Sequence, residues 1–161
     1  MSEATIRRFY EAFARLDGEA MQACYASDAQ FDDEAFSLRG PAQIGGMWRM
    51  LCGATRSSEA ARAHWRLEVS DITANAARGK AHWEAHYLMG ATGRRVHNRI
   101  DASFDFDAQG LITRHRDRFD FWAWSRQALG TPGWLLGWSP LLRDKVRSMA
   151  AENLRRHLER G

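Results

Sequence analysis

From Ala63 to Phe121 the apolar residues recur at every second position, and turn-forming clusters interrupt the pattern at Ala76–Gly79, Gly90–Gly93 and Asp107–Gly110. A period of two is the signature of strands with one buried face, and short Gly/Asn/Asp turns join such strands as antiparallel hairpins. The alternation predicts strands beginning near His64, Lys80, Arg95 and Leu111. Before Ala63 the spacing is helical instead. Ile6, Phe9, Tyr10, Phe13 and Leu16 recur three or four apart, with Ser2 read as their cap. Asp17-Gly18 ends that helix, and Glu19 to Tyr25 forms a second, short one. Ala29 to Glu34 reads as a short strand, and Pro41 opens a third helix that runs to about Gly53, with Gly45-Gly46 weakening its interior.

Helices gathered ahead of a strand meander predict an α+β fold. The sheet is expected to be strongly curved and cone-shaped, wrapped around the N-terminal helices. A chain of 161 residues is long enough for one core. We therefore expect one domain over residues 1–126. Residues 127–161 form an extension, packed on the same domain or on a partner copy. Trp122, Trp124, Trp134 and Trp138 crowd its start, broken by Gly130, Pro132, Gly133, Gly137 and Pro140, and a helix follows from Leu141 to about Leu158. The tail has three readings: a lid over a pocket, part of a dimer interface, or a surface lying on a membrane. The last helix mixes Arg with Glu, which argues against the third.

Lys and Arg number 23 against 20 Asp and Glu, a net charge of +3. The cations are scattered rather than run together, so nucleic acid is not expected as a partner. Cys24 and Cys52 read as buried free thiols. His82 and His86 share a strand face but lie too far apart to chelate, and no metal or cofactor is expected. The N-terminus lacks the apolar core of a signal peptide and no stretch reaches the length of a membrane span, so the expected location is cytoplasmic, with no membrane partner.

Two segments carry a family resemblance. Arg8-Phe-Tyr-Glu-Ala-Phe, Asp17-Gly and Tyr25-Ala-Ser-Asp-Ala-Gln-Phe-Asp-Asp33 are similar to the opening of ketosteroid isomerases. Gly110-x-Ile-Thr-x-x-Arg-Asp117-x-Phe-Asp-Phe121 resembles the last strand of limonene epoxide hydrolases and SnoaL-like polyketide cyclases. With three helices, a strand and a meander, the chain resembles the nuclear transport factor 2-like superfamily. That resemblance implies a conical fold, a homodimer through the convex sheet face and a pocket for a hydrophobic small molecule. It also implies cofactor-independent acid–base catalysis of the isomerase, cyclase or epoxide-hydrolase kind on a cyclic substrate. Because this scaffold hosts many chemistries, a non-catalytic ligand-binding or scaffold protein is the alternative.

Asp117 shares strand parity with Leu111, Thr113, His115 and Phe119, which should face the cavity, whereas Arg114, Arg116 and Arg118 point away. A carboxyl on an apolar wall has its charged form disfavoured, which suits an acid or base. By resemblance Asp117 is catalytic, and Asp33 matches the proton-shuttling base of the isomerases. The isomerase tyrosine, however, aligns with Phe9 and its protonated aspartate with Ala102, so an oxyanion hole of that kind is missing. Glu84 and His86 alternate with Trp83 and Tyr87. Either the polar set lines the cavity and assists Asp117, or the aromatic set does and the polar set faces outward. Arg99-Ile-Asp101 has a hydrolase-like spacing but outward parity. Phe9, Phe13, Tyr25, Phe31, Trp48, Phe104 and Phe119 would wall the pocket, with Asn98 and His115 as hydrogen-bonding groups.

Overall fold

A computed structural model describes residues 1–161. Six strands form one sheet in the order β2-β1-β6-β5-β4-β3. They are β1 (Tyr25–Asp32), β2 (Ser37–Arg39), β3 (Arg66–Ala74), β4 (Arg78–Leu88), β5 (Arg95–Phe106) and β6 (Ile112–Arg118). All neighbours are antiparallel except β1 and β6, which run parallel. The helices are α1 (Ser2–Ala14), α2 (Gly18–Gln22), α3 (Gly40–Arg56), α4 (Glu59–His64), α5 (Phe121–Leu129), α6 (Thr131–Leu136) and α7 (Pro140–Arg160). The α+β expectation holds, with one face of the curved sheet closed over α1 and α3.

The buried stripe of α1 is Ile6, Phe9, Tyr10 and Phe13, the set that its sequence spacing picked out. Burying side chains of this size stabilises a fold by roughly 1.5–3 kcal/mol each. The cap differs from expectation: Met1 holds the N-cap position without a side-chain bond. Ser2 instead donates its hydroxyl to the Ala76 carbonyl at 3.3 Å, and Thr5 donates to the Gly110 carbonyl at 2.7 Å. Both hydroxyls therefore tie α1 to two hairpin turns, and Thr5 Oγ1 also lies 3.1 Å from the Met1 carbonyl at the helix start. Asp17 caps α2 by accepting from the Ala20 N–H at 3.0 Å.

Several boundaries move from the sequence reading for local reasons. The first strand starts earlier, at Tyr25, because it pairs alongside β6, and it gains the short partner β2. Ser58 accepts from the Ala61 N–H and nucleates α4, which the sequence pattern did not reveal. Asp120 accepts from the Ala123 N–H at 3.0 Å, so β6 stops at Arg118 and Phe121 begins α5. Between Phe104–His115 and Phe106–Ile112 the β5–β6 register shifts. This bulge seats Ile112 in the core in place of Leu111, and Thr113 is only half-buried.

The tail contains three helices where one was expected. Leu154 of α7 enters the main core, and Gly46 of α3 accounts for the close approach: a Cβ there would overlap Leu158. The paired glycines of α3 are packing sites, with Gly45 making room for Gln22. Gly133 lets α6 sit on α5, since a Cβ there would overlap the Ser125 carbonyl. That obstacle is backbone and cannot rotate away. We expect Gly133→Ala to separate α6 from α5 and lower unfolding stability by about 1–3 kcal/mol despite the better helix propensity of alanine. Denaturant titration measures the loss, and an unchanged midpoint would contradict the packing described.

Candidate functional site

The inner face of β6 presents His115, fully buried, and Asp117, 3% exposed. The Trp48 indole donates to the Tyr25 hydroxyl oxygen at 3.1 Å, and Tyr25 Oη lies 2.7 Å from His115 Nδ1. His115 Nε2 lies 2.9 Å from Asp117 Oδ1, and Trp83 Nε1 donates to the same oxygen at 3.4 Å. An indole nitrogen only donates, so Tyr25 accepts there and sends its own proton to Nδ1. That assignment leaves Nε2–H to donate to Asp117. The chain of bonds is directional and ends on one carboxylate oxygen. Both donors converge on Oδ1, which leaves Oδ2 to meet a reacting proton.

The surroundings are aromatic. Phe104, Phe31 and Phe9 lie 4.4, 4.9 and 5.4 Å, centroid to centroid, from the His115 ring. Phe13 packs on Trp48 and Trp83 at 5.1 and 5.3 Å. Phe9, Phe13, Tyr25, Phe31, Trp48 and Phe104 are thus brought together around the polar chain, as one packed cluster. Asn98 is buried on the inner face of β5 opposite Ala85, and Phe119 is half-buried against Trp124.

Tyr10 is a core position of α1 by its spacing and not a predicted site residue, yet its hydroxyl is the one buried side-chain polar atom without a hydrogen-bond partner. Burial holds its phenol protonated far above the ordinary range, and the nearby charge of Asp117 adds to this. The α1 stripe places Tyr10 inward, but spacing alone cannot show that its oxygen lacks a partner.

Asp33 lies just beyond β1. One of its carboxylate oxygens accepts from the N–H groups of Ala35 and Phe36 at 2.7 and 2.6 Å. Arg147 of α7 donates to the Asp33 and Glu34 carbonyls. Burial pushes the Asp33 carboxyl up to about 7. The Phe36 N–H opposes that shift and the Asp117 charge reinforces it. On the neighbouring wall, Tyr87 accepts from the Trp124 indole at 2.8 Å. Burial raises the Tyr87 phenol to about 12, with the Asp33 charge contributing in the same direction.

Glu84 and His86 are corrected. On β4 the core takes Ala81, Trp83 and Ala85, which turns His82, Glu84 and His86 to the outer face. There Glu84 meets His82 at 2.9 Å and His97 at 2.6 Å, and these bonds hold its carboxyl down to about 2. His82 also meets Asp101 at 2.9 Å, and His86 stacks on His97 at 4.0 Å. This network lies across the sheet from Asp117. Arg99 and Asp101 are exposed, as their parity indicated. Also on the outer face, an open groove of about 770 Å³ is lined by Arg78, Lys80, Arg114, Arg116 and Arg118, among others. It opens across the sheet from the buried carboxylate, between outward side chains that flank Asp117 in sequence.

Two measurements follow. The folded Asp33 carboxyl, at about 7, lies above its unfolded value near 3.9, so the folded state holds this proton more tightly. The associated stability is complete below pH ~4 and disappears as pH rises to ~7. Denaturant midpoints should fall across that window in the wild type, relative to Asp33→Asn; parallel profiles would refute the burial of this group. Tyr10→Phe removes an unpartnered hydroxyl, so stability should hold or rise by up to ~1 kcal/mol. A loss above ~1 kcal/mol would show that the hydroxyl has a partner.

Residues 6–115 match the model of the SnoaL-like domain. The match ends just short of Asp117, so that residue's standing rests on geometry. No curated protein matches the chain. Among solved structures, a proposed polyketide cyclase from Xanthomonas campestris pv. campestris has a TM-score of 0.61 at 24% identity, covering 79% of this chain and 96% of that one. A proposed polyketide cyclase from Pseudomonas putida gives 0.61 at 21%, covering 80% and 98%. An LEH-like epoxide hydrolase from M. tuberculosis gives 0.59 at 21%, covering 80% and 89%. At these identities the likeness speaks for the fold alone. The domain match, which spans more than half of the sequence, shows that this chain belongs to the SnoaL-like domain family.

Proposed function

We propose that the chain is a cofactor-independent acid–base enzyme acting on a hydrophobic cyclic small molecule, with Asp117 as base and Asp33 as acid. The observation that carries this reading is a pair of carboxyls whose environments differ, Asp117 buried on the inner face of β6 and Asp33 at the turn after β1. Asp117 receives two N–H donors on one oxygen, while burial keeps Asp33 protonated to about 7. A site with one carboxylate and one carboxylic acid can remove a proton and deliver another in a single turnover. Addition of water to a strained ring, an allylic proton shift and an aldol closure all make that demand. Asn98 adds a polar side chain on the inner face of β5, and Tyr10 offers an unpartnered hydroxyl within the core.

A second reading, a non-catalytic ligand binder, is favoured by how completely the interior is filled: Phe9, Phe31 and His115 have no exposed surface. The two readings separate in one set of assays. Hydrolysis of cyclohexene oxide and conversion of 3-cyclohexenone to its conjugated isomer are followed for wild type, Asp117→Asn and Asp33→Asn. Mass spectrometry of copurifying small molecules runs alongside. The enzyme reading expects turnover that falls ~10²–10⁴-fold in Asp117→Asn while circular dichroism is unchanged. It also expects wild-type rate to decline as pH rises through about 7, where Asp33 loses its proton. A copurified molecule retained unchanged by wild type and Asp117→Asn alike, with no turnover of either probe, would favour the binder.

A further inference from the structure

Trp134, Leu135, Trp138 and Leu141 stand in solvent within one short stretch of the tail, with Trp138 71% and Leu141 72% exposed. Apolar ridges of this kind on a folded surface mark an interaction site. The ridge is continuous. Trp122 meets Trp134 edge-on at 6.5 Å, and the Trp138 indole donates to the Leu135 carbonyl at 2.9 Å. That bond satisfies the only polar atom of the Trp138 side chain, so its ring can leave water without stranding a donor.

Charge selects the occupant. No acidic residue occurs from Phe121 to Arg143. The Arg126 guanidinium lies 4.4 Å from the Trp122 ring and 4.8 Å from the Trp134 ring. Beside it an open concavity of about 580 Å³ is lined by Arg94, Arg95, Arg126, Gln127 and Trp134. Arg94 is aimed by a bond to the Gln127 carbonyl at 2.7 Å. A second copy placing the same ridge against this one would bring arginines against arginines. An anionic bilayer offers an apolar interior for the ridge and phosphates for its cationic border. Trp, with an apolar body and a polar tip, suits that boundary.

We propose that the α6–α7 junction is a docking surface for an anionic lipid bilayer. Trp134, Leu135, Trp138 and Leu141 enter the headgroup–acyl boundary, and Arg95 and Arg126 meet lipid phosphates. No helix is long and apolar enough to cross a membrane, so the chain lies on the surface. Along the final helix Arg mixes with Glu, a pattern unsuited to a membrane-facing surface. The structure places the ridge ahead of that mixed stretch, whose Glu152 and Glu159 are engaged by Arg155. The same tail is tied to the domain through Trp124 on the Tyr87 hydroxyl and Arg147 on the Asp33 backbone carbonyl. The proposal needs neither carboxyl and stands apart from the acid–base reading.

The test is flotation of the full chain with neutral phosphatidylcholine vesicles and with vesicles containing about one-third phosphatidylglycerol. Wild type should float with the anionic vesicles and more weakly with the neutral ones. The double variant Trp138→Ser/Leu141→Ser should bind at least about tenfold less while its melting temperature is unchanged, because both side chains are already solvent-exposed. Arg95→Glu should lower binding to the anionic vesicles severalfold and leave neutral binding alone. Absence of flotation by wild type, or undiminished flotation of the double variant, overturns the proposal. So does a wild-type dimer that does not float and that the double variant dissociates in sedimentation equilibrium, since a second copy would then cover the ridge.

Discussion

The hydrogen-bonded run from Trp48 through Tyr25 and His115 to Asp117 crosses the centre of the aromatic core, and the rest of the structure is arranged to keep it there. Leaving a buried polar group unpaired costs about 1–3 kcal/mol, so each member constrains the next. The Trp48 indole fixes which way the Tyr25 proton points, that proton fixes the His115 tautomer, and the tautomer aims a donor at Asp117. Three separate parts of the fold supply the members. Trp48 comes from α3, Tyr25 from the start of β1, and His115 with Asp117 from β6. The parallel pairing of β1 with β6 is what brings Tyr25 within reach of His115.

That arrangement explains why Asp117 and Asp33 behave differently although both sit in apolar surroundings. Asp117 takes two side-chain N–H donors on one oxygen, whereas Asp33 takes backbone N–H groups at a turn and also feels the Asp117 charge. Burial first, and then the nearby Asp117 charge, favour the protonated form of Asp33. Acid and base roles on our reading follow from this asymmetry rather than from residue type. The outer-face network around Glu84 is the opposite case. Two histidines and Arg99 surround a single carboxyl, so that group stays ionised and is built for the surface.

Much of the fold was legible because periodicity reports burial. Ile6, Phe9, Tyr10 and Phe13 on α1, and the alternation through β5, placed core residues where the structure has them. The inward direction of Asp117 followed from the same parity. The β5–β6 bulge shifted the near end of the strand by a residue and is invisible to a strict period of two. For β4, alternation gave two faces without saying which was inside. Small Ala81 and Ala85 flanking Trp83 decide it, since they let α1 approach the sheet. Capping side chains such as Ser58 and Asp120 act over three residues, and their effect on α4 and α5 was masked by the apolar residues around them.

The tail shows how a fold with a closed core can still have an unfinished surface. α7 commits Leu154 to the core beside Gly46, and Arg147 anchors it over the loop that carries Asp33. Those contacts fix where the preceding helices must lie. Gly133 then seats α6 against the Ser125 backbone, and Trp138 and Leu141 follow on its outer side. Trp138 and Leu141 are therefore exposed by the geometry of their neighbours and not by disorder of the segment. A ridge held rigid in that way has lost its conformational freedom before any partner arrives, which lowers the entropy cost of meeting one. The absence of acids along it leaves the arginines at its border without local carboxylate partners. Apolar exposure and cationic border are thus consequences of one packing arrangement, and both are satisfied by a surface that is apolar within and anionic at its face.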